Sequence, residues 1–181
     1  QGTGTVIGTH TYGGGNAAAF DGTTSQHSTS GAKANVTATS WLGKDWGVGV
    51  TKTVSGFKCW SSNNDGLASS GQAGSGCSIT LFGNSTNNTG TAVDLGGLTN
   101  LNFRQNNHVA DYTKLSGLTT STAYRYHWIR FTSIVASYMR CAELQFFANE
   151  LTTTTNATGT LISDTQTAPS ATTEVSGVIL Y

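Results

Sequence analysis

The stretch YRYHWIRF, residues 124–131, decides how this chain is to be read. It is dense in aromatic and β-branched residues and holds neither Gly nor Pro, which is the composition of a strand. In an extended chain successive side chains point to opposite faces. Tyr124, Tyr126 and Trp128 then share one face, and Arg125, His127, Ile129 and Phe131 share the other. Three further segments read in the same way: TVSGFKCW (53–60), CSITLFG (77–83) and AELQFF (142–147). Clusters of Gly, Asn, Ser and Thr separate them, and helical periodicity is almost absent. Many short strands with Gly-rich turns and no βαβ rhythm point to an all-β sandwich or jelly roll.

At 181 residues the chain suits one moderate domain with a short appendage. Only 10% of its residues are charged, with nine acids balancing nine Lys and Arg. Phosphate recognition needs concentrated Lys and Arg, so the balance argues against a nucleic-acid partner and excludes a polybasic membrane anchor. No apolar run reaches the roughly 18 residues of a membrane span, so no membrane insertion is expected. The surface must be polar yet uncharged, built from Thr, Ser, Asn and Gly, as in secreted β-rich proteins and virion parts. There is no initiator Met and no signal-peptide pattern, which reads as a mature chain or a fragment.

Composition shifts after ANE (148–150). LTTTTNATGTLISDTQTAPSATTEVSG (151–177) is Thr-rich and free of aromatics, and VSGVILY closes the chain as a strand-like run. The expected organisation is a domain at 1–150 and a linker or stalk at 151–181. A strand that ends with the chain suggests that more protein once followed, or that it pairs with another chain, including a second copy in a homo-oligomer.

The cysteines are Cys59, Cys77 and Cys141, an odd number without metal-type spacing. Cys59 and Cys77 flank a loop and could pair if their strands are neighbours; alternatively, all three are small buried hydrophobes. His10, His108 and His127 lack ligand spacing and are expected as surface or strand polar groups. No GxSxG or HExxH motif is present, GTGTVIG fails dinucleotide spacing, and no carboxylate pair stands out, so no enzyme is expected. Sequons at Asn35, Asn84, Asn87 and Asn156 arise easily by chance in such a chain.

Several stretches fall in order with one known pattern: NAAAFDGTTSQ (16–26), WLGKDWG (41–47), VSGFKCWSSNNDG (54–66), SITLFGNS (78–85), YRYHWIRF, and MRCAELQFF (139–147). Together they resemble the discoidin, or coagulation-factor type C, domain of the galactose-binding-like β-sandwiches. The resemblance covers roughly residues 16–148 and implies a jelly roll whose loops at one end bind glycans, lipid headgroups or protein epitopes. Trp41 and Trp46 match core positions of that family.

The resemblance also implies a structural calcium or sodium ion, with calcium expected here. Its carboxylates would be Asp21 of the Asp21-Gly22 turn and Glu143 of the closing AE pair, with carbonyls from Ala18, Thr23, Gln26 and Ala142. Two carboxylates, neutral oxygens and a Gly that lets the backbone fold round the ion suit a hard cation. The other reading is that Asp21 caps its own turn and Glu143 pairs with Arg130 or Arg140. For the ligand surface the resemblance points to His27, Trp60, Asn63, Asn64 and Arg104. An aromatic platform beside amide, imidazole and guanidinium groups suits a sugar. The Arg that often follows the strand in sugar binders is replaced here by Ser61 and Ser62, and Trp60 could equally cover the core.

Two roles follow from these residues. One is a non-enzymatic part of a virion, such as a phage tail fibre or decoration, that attaches to host-surface glycans beside neighbouring assembly subunits. The other is a secreted carbohydrate-binding module tethered to a larger enzyme or adhesin. Both are extracellular or virion-borne.

Overall fold

The computed structural model describes residues 3–27, 29–34, 39–62, 66–68, 77–103, 111–132 and 138–150, with backbone alone at 149–150. The strands are β1 (Thr5–Gly8), β2 (Tyr12–Gly13), β3 (Ala32–Ala34), β4 (Thr39–Asp45), β5 (Lys52–Trp60) and β6 (Cys77–Asn84). They continue as β7 (Val93–Leu101), β8 (Asp111–Lys114), β9 (Tyr126–Thr132), β10 (Met139–Cys141) and β11 (Glu143–Glu150). They form a five-stranded sheet ordered β1-β4-β9-β6-β7 and two three-stranded sheets ordered β11-β5-β8 and β10-β3-β2. Every pairing between these strands is antiparallel. The result is the all-β sandwich expected from the sequence. The appendage expected at 151–181 lies outside the described residues.

YRYHWIRF supplies β9, the centre of the large sheet, and its alternation explains why. His127, Ile129 and Phe131 turn inward. The last two join Leu42, Ile79 and Leu81 of the same sheet with Phe57, Cys59 and Leu144 of the smaller one in a single buried core. Tyr126 and Trp128 turn outward and make a second cluster with Phe82 and the half-buried Trp41. Phe82 stacks on Trp128 at 6.2 Å, and the Arg130 guanidinium covers the Phe82 ring at 4.3 Å. A strand that buries large side chains on both faces belongs in the middle of its sheet.

The strand starts later than the alternation predicts. Tyr124 packs on the core side, 5.9 Å from the His127 ring, and not with Tyr126 and Trp128. Arg125 is taken out of the strand by a two-pronged ion pair with Asp45, its Nε and Nη2 donating at 2.7 and 2.8 Å.

VDLGGLTNL (93–101) carries too much Gly and Asp to announce a strand, yet it forms β7. Partners along β6 supply its ladder, and a register shift between Leu81 and Phe82 accommodates the irregular stretch around Gly96, whose φ is 103°. Trp46 is core, as expected. Gly43 of WLGKDWG allows β4 to lie close to β9: a Cβ there would sit 2.1 Å from the His127 carbonyl oxygen.

Candidate functional site

The Asp21-Gly22 turn ends a short 3-10 helix, Asn16–Phe20, that buries Ala18, Ala19 and Phe20. Gly22 has φ 90°, a conformation that favours glycine, so the sequence DG is required locally. Its amide donates to Oε2 of Glu143 at 3.0 Å. Asp21 Oδ1 accepts from the Thr23 amide at 2.8 Å, and its Oδ2 accepts from the Gln26 side-chain amide at 2.5 Å. Gln26 Nε2 also donates to the Ala18 carbonyl at 3.2 Å, while its Oε1 is buried with no hydrogen-bond partner among the described residues. Ala142 is fully buried beside Glu143, and its amide donates to the Trp60 carbonyl at 2.9 Å. The fold therefore gathers Asp21, Ala18, Thr23, Gln26, Ala142 and Glu143 around one turn. Among the described residues no three His, Cys, Asp or Glu side chains form a metal-holding group, so an ion here would need the neutral oxygens.

Glu143 is only 2% exposed, and Lys44 of β4 is 6% exposed. Burial pushes the Lys44 ammonium below the usual lysine range, and the Glu143 carboxylate opposes that shift. Lys44 was missed in the sequence. Its signal was there: it alternates in phase with Leu42 and Trp46, which places it on the buried face of β4. Arg130, one of the two partners weighed for Glu143, lies instead over Phe82.

Trp60 ends β5 and stands across from Glu143 on one side and Asp111 on the other. It is half-buried, with the Lys58 ammonium 4.6 Å above its ring. Lys58 is tied in turn to Asp111 at 2.7 Å. The ring thus keeps some exposure and is flanked by one cation and one anion, neither of which the sequence singled out. Their signal was also present: Lys58 is two residues from Trp60 and shares its face. His27 is exposed and bonded through Nδ1 to the Thr29 hydroxyl at 3.0 Å. Asn63, Asn64 and Arg104 lie outside the described residues.

One histidine expectation is corrected: His10 is neither on the surface nor in a strand, whereas His127 is a strand polar group as expected. Both are fully buried. Trp46 Nε1 donates to His127 Nδ1 at 2.9 Å, so that nitrogen must be unprotonated. His10 Nδ1 faces the Trp41 carbonyl at 3.4 Å and therefore carries the proton. Desolvation lowers His10 to about 3, against the pull of the Trp41 carbonyl, and lowers His127 to about 4. His108 lies outside the described residues. Of the two cysteine readings the structure has the second: no disulfide joins Cys59 and Cys77, and all three cysteines are buried. The sulfur neighbouring Cys59 is that of Cys141, at 3.5 Å.

A cavity of about 170 Å³ opens between Phe20, Lys44, Trp46, Leu144 and Phe146. Neither Trp60 nor His27 lines it. Its walls combine core side chains with Lys44 and the exposed Gln145 and Phe147, whereas at the strand end around Trp60 polar and aromatic groups meet with partial exposure.

The architecture is that of the discoidin-like, galactose-binding-like β-sandwiches. Solved structures similar to it include a carbohydrate-binding module and a lectin domain. The family 62 carbohydrate-binding module (CBM62) from Clostridium thermocellum Xyl5A matches 82% of this chain and 96% of that one, with 26% identity and a TM-score of 0.51. The lectin domain of lectinolysin, complexed with Lewis B antigen, matches 81% of this chain and 93% of that one, with 18% identity and a TM-score of 0.52. The second likeness is one of fold alone. No family model and no curated protein sequence matches the chain.

Proposed function

We propose that the chain is a non-catalytic glycan-binding module, and that its binding surface is the strand end around Trp60. The observation that carries this reading is the likeness to CBM62 over nearly the whole of that module. Trp60 supports it: a partly exposed ring between Lys58 and Asp111 offers a face for sugar C–H groups and polar neighbours for hydroxyls. His27, Asn63, Asn64 and Arg104 are the further contacts of this reading. An extracellular location goes with this reading.

A structural calcium at the Asp21 turn belongs to the same proposal. Gln26 is the residue that fits it best. Its Nε2 points at two oxygens while its Oε1 is orphaned, and turning the amide over would exchange donor for acceptor. The Asp21 carboxylate, the Ala18 carbonyl and Gln26 Oε1 would then converge as oxygens, an arrangement stable only around a cation. Bound calcium would supply charge neutralisation and a fixed turn.

The test is a glycan array probed with the full chain and with Trp60→Ala. Binding by the parent, and its loss in a variant that melts at the same temperature, is the expected result. Silence of the parent across the array would overturn glycan binding and leave a structural role. The reading as a virion component draws on the low charge, the few prolines and residues 151–181, the last of which lie outside the described residues.

A further inference from the structure

Cys59 is the penultimate residue of β5, and Cys141 is the last of β10, 82 positions away. Both are fully buried, and their sulfurs touch at 3.5 Å. The backbone on either side is fixed: the Ala142 amide donates to the Trp60 carbonyl at 2.9 Å, and Glu143 stands in register with Trp60. These bonds hold the two cysteines together in every molecule that has folded. A disulfide needs its sulfurs about 2.05 Å apart, so closure asks for roughly 1.5 Å of approach. Cys77 begins β6 in the other, five-stranded sheet, opposite Leu101.

We propose that Cys59 and Cys141 are a crosslinking pair that closes to a disulfide when the chain folds in the presence of a small-molecule disulfide, with Cys77 as the remaining thiol. The thiolate of one cysteine attacks the oxidant's S–S bond, forming a mixed disulfide and releasing one small thiol. The second cysteine, as thiolate, displaces the other half as a second thiol. The protein gives up two protons and two electrons, and the oxidant's sulfurs receive them. Burial pushes the Cys141 thiol up, and the neighbouring Cys59 pushes it further, so Cys141 is a poor nucleophile once buried. Exchange therefore belongs to folding, before the core closes. The product fastens the end of β5, where Trp60 stands, to the segment that leads into Glu143.

The full chain is refolded with oxidised and reduced glutathione, and separately with dithiothreitol, and thiols are counted in denaturant. The expected product from glutathione is about 2 Da lighter, titrates one thiol, and yields a peptide linking Cys59 to Cys141. Its melting temperature should exceed that of the reduced chain by roughly 5 °C or more, because the link closes a long loop. Cys77→Ser should keep the link and titrate no thiol. Three thiols in a folded, glutathione-treated chain would overturn the proposal, as would a link that includes Cys77.

Discussion

The Gly22 amide donates to Glu143 Oε2 at 3.0 Å, tying residues 121 positions apart. This one bond joins the start of the sandwich to its last strand. Glu143 is 2% exposed and offsets the burial of Lys44. Glu143→Ala should cost about 3 kcal/mol, because it strands a buried charge and an amide donor together. Glu143→Gln, which can still accept from Gly22, should cost about half as much. Urea unfolding of the two variants measures both losses. An alanine variant within ~0.5 kcal/mol of the parent would mean that the bond contributes nothing.

Calcium at this turn predicts a melt that responds to chelator. A ligand at a hundred times its Kd stabilises by about 2.7 kcal/mol, or roughly 5–10 °C for a domain of this size. Asp21→Asn should melt at one temperature with and without chelator. Superimposable curves for the parent protein would remove the ion from the proposal.

Acid should unfold the protein through its two buried histidines. His10 and His127 are lowered to about 3 and about 4, against about 6.5 in an unfolded chain. Below pH 6.5 the unfolded state therefore takes up protons that the folded state refuses. Stability is complete above that pH and falls by about 1.4 kcal/mol per pH unit for each histidine as pH drops toward 4. For two, the loss by pH 4 is about 7 kcal/mol, comparable with the whole stability of a typical domain. Denaturant titrations at pH 7, 6 and 5 give the slope, and a flat profile would contradict the burial of both rings.

Gly43→Ala tests the close approach of β4 and β9. The added Cβ meets the His127 carbonyl oxygen at 2.1 Å and the Trp128 Cα at 2.6 Å, both backbone atoms that cannot swing aside. We expect a loss of about 3 kcal/mol in thermal or urea unfolding. An unperturbed variant would show that the two strands have room to separate.

Much of this could be read directly from residues. TVSGFKCW, CSITLFG and AELQFF became β5, β6 and β11 because β-branched and aromatic content favours a pleated, covered surface. The DG pair demanded a turn where the structure has one, since φ 90° at Gly22 favours glycine. Gathering Asp21 and Glu143 at one turn was foreseen through a family pattern and not through spacing. Asn63, Asn64 and Arg104, the remaining contacts of the proposed glycan surface, lie outside the described residues.

Alternation along a strand tells which side chains share a face, but not what lies across from it. His127 shares a face with Ile129 and Phe131, yet only the packed sandwich shows that this face is sealed and that Trp46 bonds the ring. Cys59 was set against Cys77, the nearer cysteine in sequence, whereas pairing of β5 with β11 brings Cys141 beside it. Local chemistry thus determined strands and turns, because backbone preference acts over a few residues. Partners separated by 81 to 121 positions were decided by sheet order, which exists only once the chain has folded.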